Sequence, residues 1–211
     1  MAQTREHDES ARSATFEIDG VRFGVREAGN GRPVVVFGDE AQAKALADGL
    51  ATHNRVLAME VFEAGALRAN QLAQIAARAV TRIGLERFSV IGISSGSSLA
   101  LALATLAPNQ IDKLILLSPP RMAEFDAQIS ANLGQVTAPT LVMVGTRDRS
   151  GAAETMRTLR EKLPACQLLF VYGAGRALIT DRPDACLSPI NEFLERGIEY
   201  VVCHESQVIR R

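Results

Sequence analysis

Short hydrophobic runs that alternate with longer amphipathic stretches constrain the fold of this chain more than any other feature. The runs are PVVVF (33–37), RVLAMEVF (55–62), FSVIGIS (88–94), KLILLS (113–118), TLVMVG (140–145) and QLLFVY (167–172). Near-continuous hydrophobic runs of this length are typical of strands that are buried on both faces of a parallel sheet. An earlier segment, TFEIDGVRFGVRE, alternates polar and apolar residues around Asp19-Gly20 and predicts an antiparallel hairpin.

The stretches between the runs carry apolar residues at spacings of three and four, which predicts helices over 40–52, 68–84, 97–107, 151–162 and 183–196. This order predicts an α/β protein, a three-layer α/β/α sandwich with a mostly parallel sheet and an N-terminal antiparallel hairpin. We expect a single domain over residues 14–196. Residues 1–13 are expected to form a disordered or loose lead-in, and 197–211 form a tail whose strand-like run EYVVCH has no assigned role.

Composition excludes several classes of function. The 211 residues carry a net charge of -1, which removes the electrostatic case for nucleic-acid binding. No apolar run is long enough to span a membrane, and the polar N-terminus lacks the apolar stretch of a secretory signal, so we expect a cytoplasmic protein. The three cysteines, Cys166, Cys186 and Cys203, are expected to be free thiols. We predict no metal site and no cofactor, since histidine and cysteine residues do not cluster.

The segment Gly92-Ile93-Ser94-Ser95-Gly96 lies where a buried strand must turn sharply into a helix. A G-x-S-x-G pattern in this context predicts a nucleophile elbow, a strained turn that presents a serine hydroxyl above the carboxyl edge of the sheet. The N–H groups of a helix that begins near Ser95 would then face an oxyanion. The alternative is a glycine- and serine-rich turn without chemistry.

The chain from about residue 14 to 196 resembles the α/β-hydrolase fold family. FEIDGVRFGVREAGNGRPVVVF is similar to that family's first hairpin and third strand, and LERFSVIGISSGSSLALALATLAPNQIDKLILLSPP to its elbow, following helix and next strand. APTLVMVGTRD resembles the strand that ends in the triad acid, and GAGRALITDRPDACLSPINEFL the loop and helix that carry the triad histidine. The resemblance implies Ser94 as nucleophile, Asp148 as acid, and an oxyanion hole from Ser95 and the Gly38–Asp39 loop. It also marks the chain as a minimal, cap-less member.

One departure from the family pattern concerns the base. The family has histidine where this chain has Arg176, and a guanidinium cannot act as a base because it stays protonated and has no acceptor lone pair. Of the three histidines, His7 lies in the lead-in and His53 precedes a strand at the far edge of the sheet. His204 lies in the tail, which could fold back over the site and supply the base, although an ordinary surface role is the simpler interpretation.

A second departure concerns charge. Phe37-Gly38-Asp39-Glu40 replaces the family's His-Gly, and two carboxylates beside the hole would oppose an oxyanion unless they point to solvent or pair with Arg176. The alternative is an acidic helix N-terminus with Asp39 as its cap. Asp148 pairs with Arg176 in one interpretation. In the other, Asp148 is a loop carboxylate and Arg176 is available to a ligand.

Two functions follow from this site. The first is a serine hydrolase that acts on an ester, thioester or amide. The second is an impaired or non-catalytic relative whose pocket binds a small anionic ligand or a partner protein, because a serine without a base is a weak nucleophile. A small molecule is the expected partner in both cases, and a homodimer through the open top face or the tail is a further hypothesis.

Overall fold

An eight-stranded sheet forms the centre of the protein, for which the computed structural model describes residues 12–62, 65 and 67–199. The strands are β1 (Arg12–Ile18), β2 (Val21–Ala28), β3 (Arg32–Phe37), β4 (Asn54–Phe62), β5 (Phe88–Ile93), β6 (Ile111–Leu117), β7 (Thr140–Gly145) and β8 (Cys166–Val171). Their order in the sheet is β1-β2-β4-β3-β5-β6-β7-β8. Strands β3 to β8 are parallel, whereas β1 pairs antiparallel with β2 and β2 antiparallel with β4. The predicted α/β fold class is confirmed.

Seven α-helices connect or follow these strands in the described part of the chain. They are α1 (Glu40–Leu50), α2 (Ala69–Arg82), α3 (Gly96–Leu106), α4 (Ala127–Ala131), α5 (Ala152–Lys162), α6 (Leu178–Asp181) and α7 (Pro183–Arg196). The five helices predicted from apolar spacing all form, with ends that differ by no more than two residues. The structure adds the short helices α4 and α6, which are too brief to show a period in the sequence.

The N-terminal hairpin closes through the predicted tight turn. Ile18 pairs with Val21, which leaves Asp19 and Gly20 as a two-residue loop with φ values of 48° and 78°. Two positive φ values match the right-handed twist of the paired strands, and aspartate followed by glycine adopts them at low cost. The local sequence therefore fixes the register of β1 against β2.

The sheet separates two hydrophobic cores. Helices α2, α3 and α5 cover one face, with side chains such as Val80, Leu101 and Met156 in that core. Helices α1, α6 and α7 cover the other face, where Leu46 and Phe193 are among the buried residues. Both faces of the central parallel strands are therefore buried, which explains their unbroken hydrophobic runs.

The domain limits differ slightly from the expected ones. Strand β1 begins at Arg12, two residues before the predicted start, because its pairing with Glu27 continues the ladder. The segment 119–138 forms α4 and two single 3-10 turns. Gly197–Glu199 form one further turn after α7. The rest of the predicted lead-in and tail, residues 1–11 and 200–211, lies outside the described residues.

None of the described helices is long and apolar enough to cross a membrane.

Cys166 and Cys186 are buried free thiols, as predicted, while Cys203 lies outside the described residues. Burial raises the pKa of each of the two thiols to about 12, since desolvation disfavours the thiolate. At pH 8 roughly one such thiol in ten thousand is ionised, and the thiolate is the reactive form.

We therefore expect Cys166 and Cys186 to resist iodoacetamide in the folded protein at pH 8 and to react fully in guanidinium chloride. Peptide mass mapping after a timed reaction would measure both sites. Modification of either thiol in the folded protein at the denatured rate would contradict this prediction.

Candidate functional site at the carboxyl edge of the sheet

Ser94 occupies a strained turn between β5 and α3. Its φ is 50°, in the left-handed region that residues with a Cβ rarely adopt. Its backbone N–H donates to the carbonyl of Leu117 at the end of the neighbouring strand, at 2.8 Å, and the residue is half-buried. The surrounding structure thus holds the chain in a conformation that costs free energy, a feature that clusters at functional sites.

Close backbone packing explains the two glycines of the motif. A Cβ on Gly92 would lie 2.5 Å from Cα of Ser97, and a Cβ on Gly96 would lie 2.2 Å from the carbonyl oxygen of Phe37. Neither position has room for a side chain. The two glycines are therefore required by the close approach of β5, α3 and the end of β3.

The loop after β3 lies against the elbow. A Cβ on Gly38 would lie 2.6 Å from Cβ of Ile93, so this glycine lets the two strand ends meet. The N–H groups of Gly38, Asp39 and Ser95 donate no hydrogen bond within the described part of the chain. Backbone donors remain available on both sides of the predicted oxyanion position.

Asp39 is the N-cap of α1. Its Oδ1 accepts a hydrogen bond from the backbone N–H of Gln42 at 3.0 Å, and its Oδ2 accepts one from the Gln42 side-chain amide at 2.6 Å. Both carboxylate oxygens are engaged with the helix. The capping alternative is the one observed, and this carboxylate does not pair with Arg176.

Asp148 lies in the loop after β7 and retains one unused oxygen. Its Oδ1 accepts from the backbone N–H of Ser150 at 2.8 Å, which fixes the loop as an Asx turn. Its Oδ2 is buried and has no hydrogen-bond partner among the described residues. A buried carboxylate oxygen without a donor is costly, and such atoms are rare enough to require a reason.

The loop that carries Arg176 is tied to the loop of Asp148. The backbone N–H of Arg147 donates to the carbonyl of Ala174 at 2.9 Å, and the N–H of Gly173 donates to Oγ1 of Thr146 at 3.0 Å. The backbone near residue 176 therefore lies beside the loop of Asp148.

The Arg176 side chain does not join Asp148. Arg176 is exposed, and no ion pair links it to Asp148 in the described structure, so the predicted salt bridge is wrong. Its charge instead acts on Glu124, whose pKa is lowered chiefly by a hydrogen bond from Arg121 and further by the field of Arg176. A long side chain that keeps its guanidinium in water avoids the desolvation that a buried pair would require.

The structure places no histidine near Ser94 among the described residues. His53 is exposed at the amino edge of the sheet, beside Asn54 and Asn191, as predicted. His7 and His204 lie outside the described residues. Within the described ranges, no three His, Cys, Asp or Glu side chains come together as a metal site.

Ser118 was missed in the sequence. It directly follows β6, is fully buried and has a φ of 43°. Its Oγ has no hydrogen-bond partner among the described residues. Its N–H donates to the carbonyl of Met143 at 2.9 Å. The residue before a proline normally adopts an extended conformation, so the Ser-Pro-Pro sequence gave no signal of this strain.

Backbone strain at Ser94 predicts a difference between two variants. Ser94→Gly should be about 1 kcal/mol more stable than Ser94→Ala, since the left-handed conformation costs a residue with a Cβ about 1–2 kcal/mol and the greater freedom of unfolded glycine offsets part of that gain. Urea unfolding of both variants measures the difference, and both lack the hydroxyl. Equal stabilities would show that strain in the turn is no larger than the entropy that glycine gains on unfolding.

Solved structures with similar folds are numerous, although no family model and no curated protein matches this sequence. A membrane phospholipase A described as a bacterial virulence factor has a TM-score of 0.78 at 16% identity, over 90% of this chain and 87% of its own. A predicted CIB-like hydrolase from Thermoplasma acidophilum has a TM-score of 0.76 at 14% identity, over 88% and 98%. A serine hydrolase involved in carbazole degradation has a TM-score of 0.76 at 16% identity, over 88% and 99%. Strand order, helix placement and these neighbours agree: the chain has the α/β-hydrolase fold.

Proposed function

We propose that this protein is a serine-hydrolase-like protein in which Ser94 is the nucleophile towards an ester, thioester or amide of a small molecule. The strained conformation of Ser94 carries the proposal, because the glycines packed around it serve to present that one hydroxyl. The unused N–H groups of Gly38, Asp39 and Ser95 supply candidate donors for the oxyanion.

The carboxylate of Asp39 does not weaken this proposal. Both of its oxygens accept hydrogen bonds from Gln42, in the first turn of α1. A capping carboxylate interacts favourably with the helix dipole and with the N–H groups it accepts. The repulsion that this carboxylate would exert on an oxyanion is therefore reduced.

The base is the missing component. A general base contributes about 10²–10⁴-fold to such reactions, and Arg176 cannot supply it. The native protein should then react slowly. Asp148, with its buried Oδ2 unused, is suited to orient an imidazole if residue 176 provided one.

The test is the rate at which Ser94 is modified by a fluorophosphonate, followed by intact mass. We expect slow labelling of the native chain, none of Ser94→Ala, and labelling of Arg176→His faster by about 10²–10⁴-fold, the range of a general base. Arg149→His is the matched control, since Arg149 is an exposed arginine in the loop of Asp148, and it should label at the native rate.

Two results would contradict the proposal. Labelling that survives in Ser94→Ala would assign the reactivity to another residue. Failure of both the native chain and Arg176→His to label would show that the elbow cannot be activated, and the hydrolase proposal would then be abandoned.

A second candidate function, binding of a small anion without catalysis, is favoured by the exposed guanidinium of Arg176 and the absence of a base among the described residues. Arginine binds carboxylate and phosphate groups through two parallel hydrogen bonds. Titration with inorganic phosphate, followed by NMR, should show saturable shifts that Arg176→Gln abolishes and Arg149→Gln retains. Equal shifts in both variants would remove this candidate.

A further inference from the structure

A groove separate from the elbow lies between α1 and the face of β1, β2 and β4 that no helix covers. Its volume is about 460 Å³, within the range of about 300–1,000 Å³ that small-molecule sites occupy. Small residues, Gly24, Ala43 and Ala58, line its base, and one end reaches Gly38. The ring of Phe62 packs over Gly24, 2.8 Å from where a Cβ would lie, so the missing side chain is needed to keep this arrangement.

Each wall of the groove carries an acid and a base in the same order. On α1, which begins at the carboxyl edge of the sheet, Glu40 comes first and Lys44 follows one turn later. On the sheet, Glu60 pairs with Gly24, and Arg26 pairs with Ala58, two residues nearer the amino edge. Both acids therefore lie towards the carboxyl edge, and both bases lie towards the amino edge.

The two ends of the groove therefore carry opposite charges. Glu40 and Glu60 line the end towards the carboxyl edge, and Lys44 and Arg26 line the end towards the amino edge. In the described structure none of Glu40, Lys44 and Glu60 forms an ion pair. Arg26 is the exception, since its guanidinium pairs with Asp48 of α1.

The guanidinium of Arg26 has one hydrogen-bond donor without an acceptor among the described residues. Its Nη2 donates to Asp48 at 3.2 Å, which anchors the guanidinium beside α1. Its Nε is buried and has no acceptor among the described residues. A buried donor without an acceptor is costly, and a ligand oxygen in the groove would satisfy it.

We propose that this groove binds a dipeptide-sized zwitterion, with the ammonium group between Glu40 and Glu60 and the carboxylate between Lys44 and Arg26. One helix turn rises 5.4 Å and two strand residues span about 6.6 Å, so the acid and the base on each wall are about 6 Å apart along the groove. A ligand that meets both needs two charges at a similar separation. The termini of a dipeptide meet this separation, whereas the charges of an α-amino acid lie closer together. The site acts independently of the hydroxyl of Ser94.

The test is isothermal titration of the full chain with glycylglycine, with glycine, N-acetylglycine and glycinamide as comparison ligands. We expect glycylglycine to bind at least tenfold more tightly than each of the three, because only it presents both charges at the required separation. Lys44→Gln and Glu60→Gln should each weaken that binding at least tenfold. Lys162→Gln and Glu161→Gln, which change exposed charges on α5, are the matched controls and should bind as the native chain does.

Ser94→Ala should bind glycylglycine with native affinity, which separates this proposal from the one for the elbow. Circular dichroism melting would establish that the groove variants are folded, as expected for exposed positions. Three results would each overturn the proposal: no binding at about 10 mM glycylglycine, equal binding of the singly charged ligands, or native affinity in folded Lys44→Gln and Glu60→Gln.

Discussion

The close approach of three backbone segments at the carboxyl edge of the sheet is the constraint on which the rest of the site depends. Gly38, Gly92 and Gly96 leave no room for a Cβ, and through them β3, β5 and α3 come into direct contact. This contact holds Ser94 in its left-handed conformation and sets the loop after β3 beside the start of α3. Larger residues at these glycines would separate the turn at Ser94 from the loop after β3.

Two charged side chains of the candidate site are held differently. Both carboxylate oxygens of Asp39 accept hydrogen bonds from Gln42 in the first turn of α1, whereas the exposed Arg176 forms no ion pair with Asp148 in the described structure. The buried Oδ2 of Asp148 has no donor among the described residues, an arrangement that costs free energy.

Helix α1 borders two regions of the surface, the loop after β3 and the groove. Its first residue follows the loop that borders the elbow, while Glu40 and Lys44 line the groove above β2 and β4. The groove exists because the hairpin extends the sheet beyond the reach of α1 and because Gly24, Ala43 and Ala58 are small. A shift of α1 would alter both regions together, so the cap at Asp39 has structural consequences beyond the first turn.

The sequence by itself determined the succession of strands and helices and the hairpin at Asp19-Gly20, and it singled out Ser94 and Arg176 as candidate site residues, because each depends on residues close together in the chain. Hydrophobic runs and G-x-S-x-G are local patterns, and the chemistry of a guanidinium needs no fold. Only the tertiary structure decided that Arg176 and Asp148 form no ion pair in the described part of the chain, that the strained Ser118 has no hydroxyl partner there, and that acids and bases collect at opposite ends of the groove. These features depend on contacts between segments far apart in sequence, where packing and desolvation, not local preference, select the outcome.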